Sequence, residues 1–148
     1  MSFPRVCVVD ASVAFKWYVP EPQWQTAVRL LDEARAGHCA LLAPEWLVVE
    51  VANAAWQRSR RGDLTPAVAR EMARDVPTAP VQWFGPTELV GRATEIALDW
   101  GCPVYDAVYL ALAEACEAPL VTADRRLREL TPAPWREGRV LLLADLEV

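Results

Sequence analysis

Four acidic side chains stand in apolar surroundings, unlike most of the 20 acidic residues of the chain. Asp10 ends the run Val-Cys-Val-Val, and Asp124 follows Pro-Leu-Val-Thr-Ala. Glu50 and Asp106 are each the single charged residue of a long apolar stretch. A carboxylate in such company needs a hydrogen-bond partner, a proton or a metal ion, because its desolvation is costly. These four acids are therefore the first candidates for chemistry.

The chemistry that suits gathered carboxylates is that of a hard divalent cation. Four carboxylates at one place repel one another, and burial raises the pKa of some of them. Mg²⁺ and Mn²⁺ prefer oxygen ligands and keep several waters. One or two such ions activate water and stabilise an in-line displacement at phosphorus. The sequence shows neither a glycine-rich phosphate loop nor a nucleophile elbow, which argues against nucleotide kinases and serine hydrolases.

Each acid also has a purely structural explanation. Asp is a favoured N-cap, so Asp10 and Asp124 can each cap a following helix. Glu50 can form a hydrogen-bonded pair with Asn53, which lies three residues further along the same helix face. Asp106 falls in the first turn of a predicted helix, where the helix dipole favours an anion. Both explanations stay open for each residue taken alone.

The elements that would position these acids alternate between short β-like runs and longer helical ones, a pattern that predicts a parallel α/β sheet. Strands are predicted at 5–9, 39–43, 81–84, 119–122 and 139–143. Helices are predicted between Ala11 and Pro20, at 23–36, from Pro44 to Arg61, from Thr65 as a cap, and at 87–99, 105–117 and 124–130. Right-handed βαβ connections bring the carboxyl ends of parallel strands to one edge, so the acids should meet there.

Composition narrows the class of protein. A chain of 148 residues corresponds to one domain, 1–148, that can build a core without disulfides or structural metal. Its four cysteines form no Cys-x-x-Cys pair and the single histidine, His38, is expected in an exposed loop, so reduced thiols in a cytoplasmic protein are the better interpretation. No signal region or membrane-spanning stretch is seen, and we expect no membrane association. A net charge of −5 argues against coating nucleic acid by bulk charge, although it leaves a nuclease possible.

Taken together, the acidic segments resemble the four motifs of PIN-domain ribonucleases, specifically the VapC-type toxins of bacterial toxin–antitoxin pairs. The resemblance extends from Val6 to the last predicted strand, and the acid of the second motif falls on Glu50 rather than Glu45. The third motif is the most specific, and no acid is missing. The segments are Val-Val-Asp-Ala-Ser, Ala-Pro-Glu-Trp-Leu-Val-Val-Glu-Val-Ala-Asn-Ala, Tyr-Asp-Ala-Val-Tyr-Leu-Ala-Leu-Ala-Glu and Leu-Val-Thr-Ala-Asp-Arg-Arg-Leu.

The resemblance implies a PIN-like three-layer α/β fold, with a central, mostly parallel sheet of about five strands flanked by helices. It implies a Mg²⁺- or Mn²⁺-dependent endoribonuclease whose direct metal ligands are Asp10 and Asp106, completed by Asp124 and Glu50. The residues implied to support these acids through hydrogen bonds are Ser12, Asn53 and Thr122. It further implies a homodimer silenced by a cognate antitoxin protein.

Two arginine runs are candidates for contact with RNA phosphates. Arg125, Arg126 and Arg128 form a run that adjoins Asp124, which favours a functional role for this run. The run Arg58, Arg60 and Arg61 is interpreted as a solvated helix end.

Two alternatives to the toxin remain open at this stage. The first is a PIN-domain nuclease that processes RNA without an antitoxin. The second is a binding module that keeps the fold without cleavage, against which the four intact acids argue.

Overall fold

The structure is a computed structural model that describes residues 2–146. Five strands in this part of the chain form a parallel sheet. They are β1 (Val6–Val9), β2 (Ala40–Pro44), β3 (Val81–Phe84), β4 (Leu120–Thr122) and β5 (Val140–Leu142). Their order across the sheet is β3-β2-β1-β4-β5, which confirms the predicted strands to within two residues at each end.

Eight α-helices in residues 2–146 connect and cover these strands. They are α1 (Ala11–Phe15), α2 (Trp24–Arg35), α3 (Trp46–Arg61), α4 (Pro66–Asp75), α5 (Val90–Trp100), α6 (Val104–Ala115), α7 (Arg125–Leu130) and α8 (Ala133–Arg136). Short 3₁₀ turns lie at Val76–Thr78 and Leu143–Leu146. The sequence pattern does not indicate α8, and α5 begins three residues later than predicted.

Local sequence explains several helix ends. Thr65 caps α4 as predicted, because its hydroxyl accepts a hydrogen bond from the Val68 N–H at 3.2 Å. Gly62 ends α3 with a φ of +84°, a left-handed conformation that glycine adopts without strain. The prediction that Pro44 opens α3 is wrong. Pro44 is the last residue of β2, where it pairs with Phe84, and α3 begins at Trp46.

The connections reverse direction at the middle of the sheet. From β1 the chain moves outward to β2 and β3. It then crosses back over β2 and β1 to reach β4 and finally β5. Right-handed crossovers therefore place α1–α4 on one face and α5–α8 on the other. The crevice beyond the carboxyl ends of β1 and β4 is the switch point of the sheet, where open α/β folds bind ligands.

Helix α6 is a core helix that contacts the strands β1, β2 and β4 and the helix α5. Every residue of α6 from Ala107 to Ala113 is buried. This burial on all sides accounts for the apolar character of the helix, since a helix covered by one layer alone would keep a polar face.

Other expectations from composition can be compared with the structure. All four cysteines are free, with Cys7 and Cys102 buried and Cys39 and Cys116 half-buried. Burial is the main cause that raises the pKa of Cys7 to about 12. His38 is exposed, as predicted. The helices of residues 2–146 are too short or too polar to cross a bilayer.

Candidate active site

Asp10 lies at the switch point, immediately after β1, and its side chain is buried. Its carboxylate accepts three hydrogen bonds. Ser12 Oγ donates to Oδ1 at 2.5 Å, the Val13 N–H donates to Oδ1 at 3.3 Å, and Thr122 Oγ1 donates to Oδ2 at 2.5 Å. Asp10 therefore caps α1, as its structural explanation predicted. It is also joined to the end of β4, as the prediction that the acids meet at one edge of the sheet required.

The electrostatic state of Asp10 reflects its burial. Burial raises the pKa of its carboxyl group to about 6, against the opposing effect of hydrogen bonds from Ser12, Thr122 and Val13. A carboxylate offers about four lone-pair positions. Two on Oδ1 and one on Oδ2 are used, which leaves one position on Oδ2 for a further ligand.

Glu50 projects from α3 and accepts a hydrogen bond from the hydroxyl of Tyr109 at 2.8 Å. Burial raises the pKa of Glu50 to about 7, and the charges of Asp10 and Asp106 raise it further while the Tyr109 bond opposes them. The expected pair with Asn53 is not formed, since within residues 2–146 no hydrogen bond joins the two side chains and Asn53 is exposed. The partner of Glu50 is 59 residues away on α6 rather than on its own helix.

Asp106 and Asp124 approach the same region from α6 and from the start of α7. Burial raises the pKa of Asp106, the charge of Asp124 adds to this, and Arg126 opposes it. Asp124 is exposed and caps α7, because its Oδ1 accepts from the N–H groups of Arg126 at 2.9 Å and Leu127 at 3.3 Å. Both cap bonds use Oδ1, so Oδ2 is free of them.

The four acids share one electrostatic environment. Asp124 raises the pKa of Asp10 and of Asp106, and Asp10 and Asp106 raise that of Glu50. In the part of the chain that the structure describes, however, no three acidic, cysteine or histidine side chains stand close enough together to hold a metal ion. The donor set fits Mg²⁺ or Mn²⁺ in kind, because all its atoms are carboxylate oxygens and Asp10 keeps a lone pair open. The side chains would have to close around the ion.

A basic-walled cleft of about 450 Å³ opens beside the acids. Glu50, Asp124 and Ser12 line one part of it, and Arg58 and Arg61 line another. The interpretation of the Arg58–Arg61 run as a solvated helix end agrees with Arg60 and Arg61, which are exposed in the last turn of α3, but not with Arg58, which is half-buried. The sequence signal that could have placed Arg58 and Arg61 beside the acids is their spacing along the helix. Positions 50, 54, 57, 58 and 61 form one stripe of α3, so the arginines share the face of Glu50.

Glu21 holds two of the cations of this cleft. Lys16 Nζ lies 3.4 Å from Glu21 Oε1, and the Arg58 guanidinium pairs with Glu21 Oε2. Arg58 also lies over the ring of Phe15, with its guanidinium carbon 5.2 Å from the ring centroid. These contacts fix Arg58 at the wall of the cleft, whereas Arg61 is exposed at its edge.

The second arginine run divides among different roles. Arg125 and Arg126 are both exposed in the first turn of α7. Arg126 is close enough to Asp106 to lower its pKa, although Arg125 and Arg126 lie outside the lining of the basic-walled cleft. The third member, Arg128, is structural, because its Nε donates to the carbonyl oxygen of Val140 at 3.1 Å.

An aromatic cleft of about 480 Å³ lies on the other side of Glu50. Its lining residues are Trp46, Val49, Glu50, Asn53, Pro103, Tyr105 and Asp106. Glu50 therefore belongs to both clefts, whereas Asp124 lines the basic-walled cleft and Asp106 lines the aromatic one. No sequence signal pairs Trp46 with Tyr105, since they come from the starts of two different helices.

Curated proteins are similar to this chain in sequence over most of its length. Ribonuclease VapC3 of Pyrobaculum aerophilum is 38% identical over 128 residues, which span 85% of this chain and 95% of that protein. Ribonuclease VapC3 of Mycobacterium tuberculosis is 30% identical over 139 residues, spanning 91% of this chain and 94% of that protein.

Solved structures are similar in fold at lower sequence identity. The crystal structure of PAE2754 from Pyrobaculum aerophilum has a TM-score of 0.69 and 24% identity, covering 94% of this chain and 84% of that one. A toxin-antitoxin complex from Klebsiella pneumoniae has a TM-score of 0.63 and 13% identity, covering 93% and 97%.

The family assignment follows from both sequence and fold. The sequence model of the PIN domain family matches residues 7–131, a range that holds all four acids. The five-stranded parallel sheet and its switch-point acids agree with that match. The chain is a member of the PIN domain family.

Proposed function

We propose that this protein is a metal-dependent endoribonuclease and the toxin of a toxin–antitoxin pair. The observation that carries the proposal is the placement of Asp10 at the switch point of a PIN-domain sheet with the other three acids close by. Asp124 raises the pKa of Asp10 and of Asp106, and Asp10 and Asp106 raise that of Glu50. Relatives that match most of the chain bear the name ribonuclease. We assign this activity to one PIN domain, 1–148.

In this proposal Asp10 and Asp106 hold a Mg²⁺ or Mn²⁺ ion, with Asp124 and Glu50 completing the site. Such an ion, when bound, supplies an activated water and stabilises the charge that develops on a phosphodiester. Ser12 and Thr122 orient Asp10 through their hydrogen bonds, a kind of support that strongly affects ligand quality. Asn53 is exposed beside Glu50 and is assigned to the substrate side of the site.

The RNA backbone is proposed to lie across the acids and along the cationic side chains that adjoin them. Arg58 and Arg61 wall the cleft that contains Glu50 and Asp124. Arg125 and Arg126 extend the positive charge beyond Asp124. Guanidinium groups suit this role because they bind phosphate oxygens in a bidentate manner.

We also propose regulation by an antitoxin, which the charge of the site supports. Solved neighbours in fold include toxin–antitoxin complexes. A pocket lined by several carboxylates accepts an arginine or lysine side chain from a protein partner, which would block it.

We propose that the protein acts in the cytoplasm, which agrees with its free thiols and an RNA substrate. We also propose a homodimer, supported by Leu98 and Val90, which are exposed on α5.

The decisive experiment measures cleavage of RNA by the purified protein with Mg²⁺, with Mn²⁺ and with EDTA. We expect cutting that depends on the metal, is lost in Asp10→Ala, and falls at least about 100-fold in Asp106→Asn, which keeps the side-chain shape but removes a ligand charge. Asp32→Asn, on the surface of α2, is the matched control and should cut normally. Metal-independent cutting, or full activity in Asp106→Asn, would overturn the assigned site.

A second measurement separates the toxin from the two alternatives. Induced expression of the wild-type chain should arrest bacterial growth, and Asp106→Asn should relieve the arrest. If the protein cleaves RNA with metal but its expression does not arrest growth, the result would favour an RNA-processing nuclease. Absence of cleavage with intact RNA binding would favour a binding module.

A further inference from the structure

The aromatic cleft holds two large rings that face solvent. The rings of Trp46 and Tyr105 are stacked, with centroids 5.5 Å apart and planes 10° from parallel. Trp46 is 38% exposed and Tyr105 is 60% exposed. Trp46 is the first residue of α3 and Tyr105 is the second of α6, so the pair joins the two helices that carry Glu50 and Asp106. The aromatic surface is therefore held at a fixed position relative to the acids.

The helix α3 presents three kinds of side chain along one stripe. Trp46 lies one turn before Glu50, and Arg58 and Arg61 lie two to three turns after it. Asp106 follows Tyr105 directly in the chain and lines the same cleft. The order along the stripe is aromatic, acidic and basic. An RNA strand that is cut at one phosphodiester can match this order. A base would meet the aromatic part, the cleaved phosphate the acidic part, and a neighbouring phosphate the basic part.

The charge of the aromatic cleft indicates which part of RNA it accepts. Of the residues that line it, two are acids, none is basic, and the remainder are aromatic, apolar or amide side chains. Both acids are assigned to the proposed metal site, so the lining that is left for substrate carries no charge and favours a flat, uncharged ring over a further phosphate. Asn53 adds an amide that can both donate and accept hydrogen bonds at the edge of such a ring.

We propose that the aromatic cleft is a nucleobase subsite, in which an unpaired base of the RNA substrate stacks on the Trp46–Tyr105 pair beside the phosphodiester that is cleaved. The inference rests on the proposed ribonuclease function and adds to it that the substrate is single-stranded at this position. Single-stranded RNA is bound in this way elsewhere, because every base has a π-face that can stack on an aromatic side chain. Asn53 is the residue that would read the base.

Two oligonucleotides separate base contacts from backbone contacts. One is a fluorescein-labelled RNA of about ten nucleotides with random sequence, and the other is an abasic ribose-phosphate chain of the same length. Binding is measured by fluorescence anisotropy with Mg²⁺ in an Asp10→Asn background, so that the RNA is not cut. We expect Trp46→Ala and Tyr105→Ala each to weaken binding of the random RNA about tenfold and to leave binding of the abasic chain unchanged.

Matched variants control for loss of an exposed ring and for loss of charge. Trp24 is 37% exposed at the start of α2, so Trp24→Ala removes a similar surface and should change neither affinity. Trp46→Phe keeps a ring and should retain most of the affinity. Arg61→Ala should weaken binding of both oligonucleotides alike, since a guanidinium contacts the backbone.

The outcomes distinguish this inference from the proposed function. The nucleobase subsite alone would be overturned if the wild-type chain cleaves RNA but Trp46→Ala and Tyr105→Ala bind the random RNA as tightly as their parent does. A smaller mass for these variants in light scattering, with unchanged RNA affinity, would show that the surface joins two copies of the chain and would also overturn it. A wild-type chain that neither binds nor cleaves RNA would overturn the proposed function as well.

Discussion

Thr122 Oγ1 lies 2.5 Å from Asp10 Oδ2 and joins the carboxyl ends of β4 and β1, two strands whose residues here are 112 positions apart. Thr122 is fully buried, and its hydroxyl oxygen in turn accepts the N–H of Asp124 at 3.0 Å. One threonine thus links the two acids of the switch point. Because hydrogen bonds to the charged form of a carboxyl lower its pKa, Thr122 also limits the effect of burial on Asp10.

Thr122→Val should destabilise the metal-free protein by about 1–3 kcal/mol at pH 8, because a buried carboxylate loses a donor. The variant raises the pKa of Asp10 further above its ordinary value. The carboxyl is protonated in both folded proteins at pH 5, so the penalty is small there and grows as pH rises through about 6, where the wild-type Asp10 loses its proton. Urea unfolding in EDTA at the two pH values measures it. Thr131→Val is the control, since Thr131 is also buried but donates to the backbone carbonyl of Arg128, and its cost should not vary with pH. Equal pH dependence in both variants would contradict the assignment.

Tyr109→Phe should move the acidic limb of the cleavage pH profile upward. The Tyr109 hydroxyl lowers the pKa of Glu50, and its loss raises that pKa above about 7, so more Glu50 is protonated at neutral pH. We expect activity to fall several-fold at pH 7 and to recover by pH 8.5. Tyr18→Phe makes the same chemical change at an exposed bond to Asp75 and should leave the profile in place. A profile unchanged in Tyr109→Phe would remove Glu50 from the titrating groups of the site.

The metal-free protein should melt at a lower temperature at pH 8 than at pH 5.5. Asp10 and Glu50 have raised pKa values, so the folded chain binds more protons than the unfolded chain between pH 4 and about 7, and stability falls as pH rises through this window. For Asp10, the increase from 3.8 to about 6 corresponds to about 3 kcal/mol. Calorimetry in EDTA across this range provides the measurement.

Millimolar Mg²⁺ or Mn²⁺ should raise the melting temperature more at pH 8 than at pH 5.5, because the ion binds the deprotonated acids. Glu50→Gln should flatten the pH dependence of the metal-free protein. Glu71→Gln, at an exposed position of α4, should not change it. A metal effect that is absent at both pH values would count against a metal site at these acids.

Leu98→Glu should convert the proposed homodimer into a monomer. Leu98 is 79% exposed on α5, and a charge at that position would oppose burial between two copies. Light scattering gives the mass of the particle directly. Val68→Glu replaces another exposed apolar residue, on α4, and should leave the mass unchanged. A dimer that persists in Leu98→Glu would place the interface elsewhere.

The sequence predicted what local patterns encode. Each strand is a short apolar run, and Asp10 and Asp124 follow such runs directly, so their meeting at one edge follows from the parallel sheet. Contacts between distant side chains left no such pattern. Glu50 is bonded to Tyr109 across 59 residues, and an apolar tyrosine-containing helix gives no sign of which hydroxyl faces which acid. Pro44 led to a wrong prediction of where α3 begins, because a proline at the end of a strand and a proline in the first turn of a helix look alike in sequence.

The neighbouring position of β1 and β4 has a consequence for synthesis of the chain. Asp10 is translated 112 residues before Thr122, the residue that joins it to the end of β4. The nascent polypeptide thus lacks the assembled acid cluster until β4 and Asp124 have been translated. If the chain cleaves RNA as proposed, it has no assembled site with which to attack its own message before that point.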